Sequence, residues 1–127
     1  MKIFLSSTYQ DLISHREVAA RAIERLGQQG VRMEIFGARP LEATNACLEE
    51  IADCDALIGI YAHRYGYVPH GQLKSITEIE YDFAIKNNKP TFCFIVDEDH
   101  PWQPKFIEAE PGRERLQAFL SVSELLS

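Results

Sequence analysis

No apolar run in this 127-residue chain approaches the roughly 20 residues that a membrane-spanning helix requires. The opening Met1-Lys2-Ile3-Phe4-Leu5 is too short, and too soon interrupted, for a secretory signal. Basic residues are scarce: 13 Lys and Arg stand against 19 Asp and Glu, a formal net charge of −6. No basic stripe forms, so nucleic acid is not an expected partner, because phosphate contacts need clustered Lys and Arg. Cysteine is rare and odd in number. Cys47, Cys54 and Cys93 lack metal-ligand spacing and read as small core hydrophobes in a reducing compartment, which makes the cytoplasm the expected location. His63 and His70 flank a loop with no third ligand, so no metal is expected. A G-x-G-x-x-G turn after the first strand is also missing, which argues against a dinucleotide-binding Rossmann site.

The composition that remains, 46% hydrophobic and 25% charged, is ordinary for a globular protein, and the length suits one domain over residues 1–127. Lys2 to Ser6 reads as a strand. Thr8 and Asp11 form a capping-box candidate before a helix with Leu12, Ala19, Ala22, Ile23 and Leu26 inward. Val31 to Phe36 alternates, as a strand with one wetter face does. Gly37 to Pro40 is a loop, and Thr44 to Asp53 a short helix. Ala56 to Ala62 and Thr91 to Val96 are apolar runs suited to buried parallel strands. Gly112 to Leu126 reads as a last helix, with Leu116, Phe119, Leu120 and Leu125 apolar. Strands alternating with helices predict an open parallel α/β sheet, flavodoxin-like, in the order 2-1-3-4 with helices on both faces. No fifth strand follows the last helix, so the chain is expected to be the N-terminal part of a longer protein.

In such sheets ligands bind beyond the carboxyl ends of the strands where the order reverses, here between strands 1 and 3. Strand 1 delivers Ser6, Ser7 and Thr8 there; strand 3 delivers Tyr61, Arg64, Tyr65 and Gly66. The helix Ser75 to Asn88 starts at the same edge and carries two acids. Ser75 and Glu78 fit a capping box, which gives Glu78 a structural task. Glu80 has none: Ile76, Ile79 and Phe83 mark the apolar face, and Glu80 borders it. Each of these residues also has a structural alternative. The Ser6 to Thr8 hydroxyls suit a helix cap, Arg64 suits an ion pair with Asp55, Glu78 or Glu80, and Tyr65 suits packing. Trp102, among prolines, is expected to lie over the helix layer.

The segments IFLSSTYQDL, CLEEIADCDALIGIYAHRYG and SITEIEYDFAIKNNKP together resemble a TIR-like domain family of unknown function. Its members stand at the N-terminus of STAND- or NACHT-type NTPases, and the family is similar in turn to TIR domains. The resemblance runs from Lys2 to about Asp97. It implies an effector domain of signalling or immune defence that self-associates through an attached NTPase or sensor region. Catalytic TIR domains cleave NAD with a glutamate on the helix after strand 3, followed by alanine four and lysine nine residues on. Glu80, Ala84 and Lys89 reproduce that spacing. Nucleoside deoxyribosyltransferases place a catalytic glutamate on a comparable helix. The tryptophan-cysteine pair that precedes the TIR glutamate is absent, with Ile76 and Thr77 in its place, and Arg39-Pro40 is a loose counterpart of the TIR assembly loop.

Two functions from different classes are therefore expected. In one, Glu80 serves N-glycosidic cleavage of NAD or a related nucleotide, with NAD as substrate and no cofactor. Arg64, Ser6 and Ser7 would hold phosphate or ribose, and Tyr61 or Tyr65 would stack on a ring. In the other, the domain is a non-catalytic TIR-like oligomerisation or adaptor module. An FMN carrier is weaker, since Ser6-Ser7-Thr8 is a poor phosphate loop.

Overall fold

The computed structural model describes residues 1–32, 40–96, 101–107, 109–110 and 112–126. Four strands, β1 (Lys2–Ser7), β2 (Gln29–Arg32), β3 (Ala56–Tyr61) and β4 (Thr91–Ile95), alternate with four helices. The helices are α1 (Ile13–Arg25), α2 (Pro40–Asp53), α3 (Ile76–Lys86) and α4 (Gly112–Leu126). All strand pairs are parallel, and the order is β2-β1-β3-β4, as the alternating pattern predicts. The expected second strand continues past Arg32 into residues outside the described ones, as does the Gly37 to Arg39 loop. Helix α2 begins one turn earlier than expected, at Pro40, whose fixed φ suits a first helical turn.

Helix α1 lies against β1 and β2 on one face of the sheet, and α2, α3 and α4 lie on the other. The main core fills the second face with Phe4, Leu57, Cys47, Ile51, Cys54 and Ala84. Beside it, Tyr61, Tyr65, Tyr81, Leu116 and Phe119 form an aromatic cluster under α4. A Cβ at Gly59 would sit 2.2 Å from the Tyr61 hydroxyl, so glycine there gives the ring its place on the sheet. The cysteines are free, Cys47 and Cys54 buried and Cys93 half-buried, as small core residues should be.

Three expectations are corrected. Thr8 and Asp11 do not cap α1: the Thr8 hydroxyl donates to Asp11 Oδ1 at 2.6 Å, and a turn closed by Leu12 N–H to Tyr9 C=O intervenes before the helix. The inward stripe of α1 is Leu12, Arg16, Ala20 and Ile23, while Ala22 is exposed and Leu26 is 76% exposed. A charged residue inside the stripe moved the apparent phase. Among the described residues strand β4 is covered on one face only, because α1 lies over β1 and β2; Phe92 and Phe94 are 56% and 61% exposed.

Candidate functional site

Strand alternation turns Phe4 and Ser6 toward α2 and α3, and Leu5 and Ser7 toward α1. Ser6 is buried and its hydroxyl donates to Glu80 Oε1 at 2.8 Å. Glu80 lies in the middle of the buried face of α3, stacked between Ile76 and Ala84, not on the flank of that face as the sequence suggested. The Cys47 thiol, from α2, also bonds to the carboxyl. Burial pushes Glu80 up to about 7; the Ser6 and Cys47 hydrogen bonds and the Arg16 charge oppose that rise without cancelling it. The same surroundings push the Cys47 thiol up to about 12, chiefly through burial and then through the neighbouring carboxyl.

One residue on, Ser7 meets a base. Arg16 is 2% exposed, and its guanidinium donates to the Ser7 hydroxyl at 2.7 Å and to the Ser7 carbonyl at 3.4 Å. The Tyr9 ring lies 5.8 Å below the same cation. A charged residue such as Arg16 does not stand out as buried in the sequence; its spacing of four residues from both Leu12 and Ala20 is the signal that places it on the inward stripe.

The start of α3 is built as the sequence predicted, with one addition. The Ser75 hydroxyl accepts from Glu78 N–H at 3.2 Å. Glu78 does not return the bond to Ser75 directly. The Tyr65 hydroxyl stands between them, donating to Glu78 Oε1 and accepting from Ser75 N–H at 3.1 Å. Glu78 is thus taken up by the cap, and the buried acid of α3 is Glu80. Gly66, at φ +100°, lets the loop rest on the β1 turn: a Cβ would come within 3.0 Å of Thr8 Cγ2.

The structure brings Ser6 and Glu80 together, while Ser7 turns to the other face of the sheet and meets Arg16. Tyr65 is occupied in the cap, and Tyr61, 2% exposed, packs edge-on against Phe119 at 4.8 Å. Arg64 is half-buried just after β3. Ala84 is a core residue, and Lys89 donates to the carbonyls of Ala52 and Cys54 at 3.0 and 2.8 Å, closing the end of α2. The spacing Glu80, Ala84, Lys89 therefore holds one buried acid and two structural residues. Aromatic surface lies elsewhere. Trp102 stands between His15 and His63, ring centres 5.5 and 5.6 Å away. A cleft of about 400 Å³ opens beside it, lined by Asp11, His15, Trp102 and Phe106 among others. Among the described residues no group of His, Cys, Asp and Glu is placed to hold a metal, and no helix is long and apolar enough to cross a membrane.

No curated protein and no solved structure matches the chain. A family model does, over residues 2–124, and the chain belongs to that family, a domain of unknown function (DUF4062).

Proposed function

Membership of a family of unknown function transfers no activity, and we propose from the site that this TIR-like domain cleaves the N-glycosidic bond of NAD or a closely related nucleotide. The observation that carries the proposal is Glu80: a buried carboxyl, held by Ser6 at the carboxyl end of β1, whose proton leaves near neutral pH. In the cleavage, the bond from ribose C1′ to the pyridinium nitrogen breaks and its electron pair departs with nicotinamide. Positive charge builds on the ribose, and a carboxylate in a low-dielectric site stabilises it strongly. Water then adds at C1′ and loses a proton to solvent. Ser6 and Ser7 anchor the turn that faces the ribose and phosphates, and Arg16 places a fixed positive charge under that turn. Tyr61 and Tyr65 are sequestered, so the ring partner for a base is Trp102 with His15, in the cleft beside Thr8 and Asp11.

The test is release of free nicotinamide from NAD by the purified protein, and by its Glu80→Gln variant. The expected outcome is release that falls by about 10²–10³-fold in the variant, the usual size of losing one charge-stabilising group, with an unchanged fold. Equal release by both proteins overturns the assignment of Glu80. The only tryptophan of the chain is Trp102, so its fluorescence should change when NAD is added, in Glu80→Gln as well as in the wild type.

One observation favours a second proposal, a non-catalytic adaptor that self-associates through an attached NTPase or sensor region. Glu80 is only 6% exposed, which suits a buried structural acid. No nicotinamide release at any protein concentration, together with association of the chain, decides for it.

A further inference from the structure

The two edges of the sheet are built differently. Over its described residues strand β2 contains Gly30 and carries Arg32, which pairs with Glu17 at 2.8 Å. Charge on an edge strand is one of the usual means of keeping it from pairing with another chain. Strand β4 reads Thr-Phe-Cys-Phe-Ile, with no charge, proline or glycine. Its Phe92 and Phe94 both project from the uncovered face, more than half exposed.

Two hydrogen bonds show which backbone groups of β4 are already used. The Pro90 carbonyl accepts from Leu57 N–H at 2.9 Å, and Val96 N–H donates to the Tyr61 carbonyl at 2.8 Å. Backbone groups along a strand alternate in direction, so the N–H and C=O groups of Phe92 and Phe94 also point to β3. Thr91, Cys93 and Ile95 therefore turn their N–H and C=O groups outward, where no described strand pairs with them.

We propose that β4 pairs antiparallel with β4 of a second copy of this chain, about a twofold axis at Cys93. An open row of backbone donors and acceptors takes a strand in preference to a helix. The side chains then say which strand. With Cys93 opposite Cys93, Phe92 falls opposite Phe94 twice over, and Thr91 opposite Ile95. The outward residues exchange roughly six N–H to C=O bonds. The phenylalanines occupy the non-hydrogen-bonded positions, where facing Cβ atoms are about 4.5 Å apart and aromatic pairs are favourable. Sliding the register by two residues in either direction leaves one aromatic pair instead of two. The segment is thus complementary to itself, as a twofold interface requires.

The area sets the strength. Four phenylalanines, each a little over half exposed, bring together roughly 400–500 Å² of ring surface. That falls well short of the roughly 1,200 Å² at which stable complexes begin, even with the strand edges added. The contact is weak, and it forms where copies are concentrated. It leaves the Glu80 site untouched, so it stands or falls separately from the chemistry proposed there.

Sedimentation velocity of the purified chain from roughly 20 µM to 1 mM should show a reversible dimer in the upper part of that range. Phe94→Lys should weaken it by about tenfold or more, since it removes both aromatic pairs and puts a charge on the edge strand of each copy. Phe94→Thr, a smaller change on the same exposed face, should weaken it less. Gln29→Lys, on the other edge, should leave it unchanged. Sedimentation as a monomer throughout, or a dimer indifferent to Phe94→Lys, would overturn the proposal.

Discussion

Ser6 and Ser7 are neighbours in the chain and belong to different regions of the molecule. One hydroxyl lies under α2 and α3 and holds a buried acid; the other lies under α1 and holds a buried base. Glu80 and Arg16 sense each other, since the arginine lowers the proton affinity of the carboxyl, yet among the described residues the arginine's side chain donates to Ser7. A closed ion pair would have held Glu80 far below neutrality. Separated by the strand, the acid keeps its burial cost and titrates near 7. Alternation along a strand is thus a way to keep two opposite charges close without letting them neutralise.

The largest effect that would break this contrast is electrostatic. The carboxyl of Glu80 is raised in the folded state from 4.5 to about 7. Its contribution to stability is therefore fully present below pH 4.5 and lost as pH rises through 7. Denaturant unfolding of wild type and Glu80→Gln should show the wild type losing about 3 kcal/mol relative to the variant between pH 4.5 and 8. A constant difference would mean that Glu80 is not buried as described. The same ionisation makes nicotinamide release, if Glu80 performs it, rise with pH through about 7.

Arg16→Met tests the other side. It removes a charge-assisted bond to Ser7 and should cost about 1.5–3 kcal/mol. It should also move the Glu80 titration, followed by carboxyl NMR, upward. No movement would show that the strand screens the two sites completely.

Ser75→Ala removes the hydroxyl that accepts Glu78 N–H and should cost about 1 kcal/mol, read as a lower unfolding midpoint. Tyr65→Phe should cost a similar amount, because it strands Ser75 N–H and the Glu78 carboxylate together. Neither change should shift the Glu80 titration, which separates the cap from the buried acid. The smallest effect is expected at Lys89→Met, about 0.5–1 kcal/mol from two partly exposed carbonyls, with nicotinamide release unchanged.

Much of this molecule was legible before its structure. Period-two and period-3.6 patterns are local, so strand order, the Ser75 cap and the approach of Glu80 to Ser6 followed from residue types and the crossover logic of parallel sheets. The spacing of Glu80, Ala84 and Lys89 was equally visible, but spacing names positions and not neighbours. Only the packing of α2 against α3 decided that Ala84 would fill the core and Lys89 would close a helix end. Arg16 was lost because a charged residue reads as surface until a strand end supplies its partner. Tyr65 was seen as a site residue because the cap that employs it joins two segments ten residues apart. The open face of β4 was hidden for a like reason. Its apolar run is the same whether one face is covered or two, and how far α1 reaches across the sheet is a property of the assembled layers.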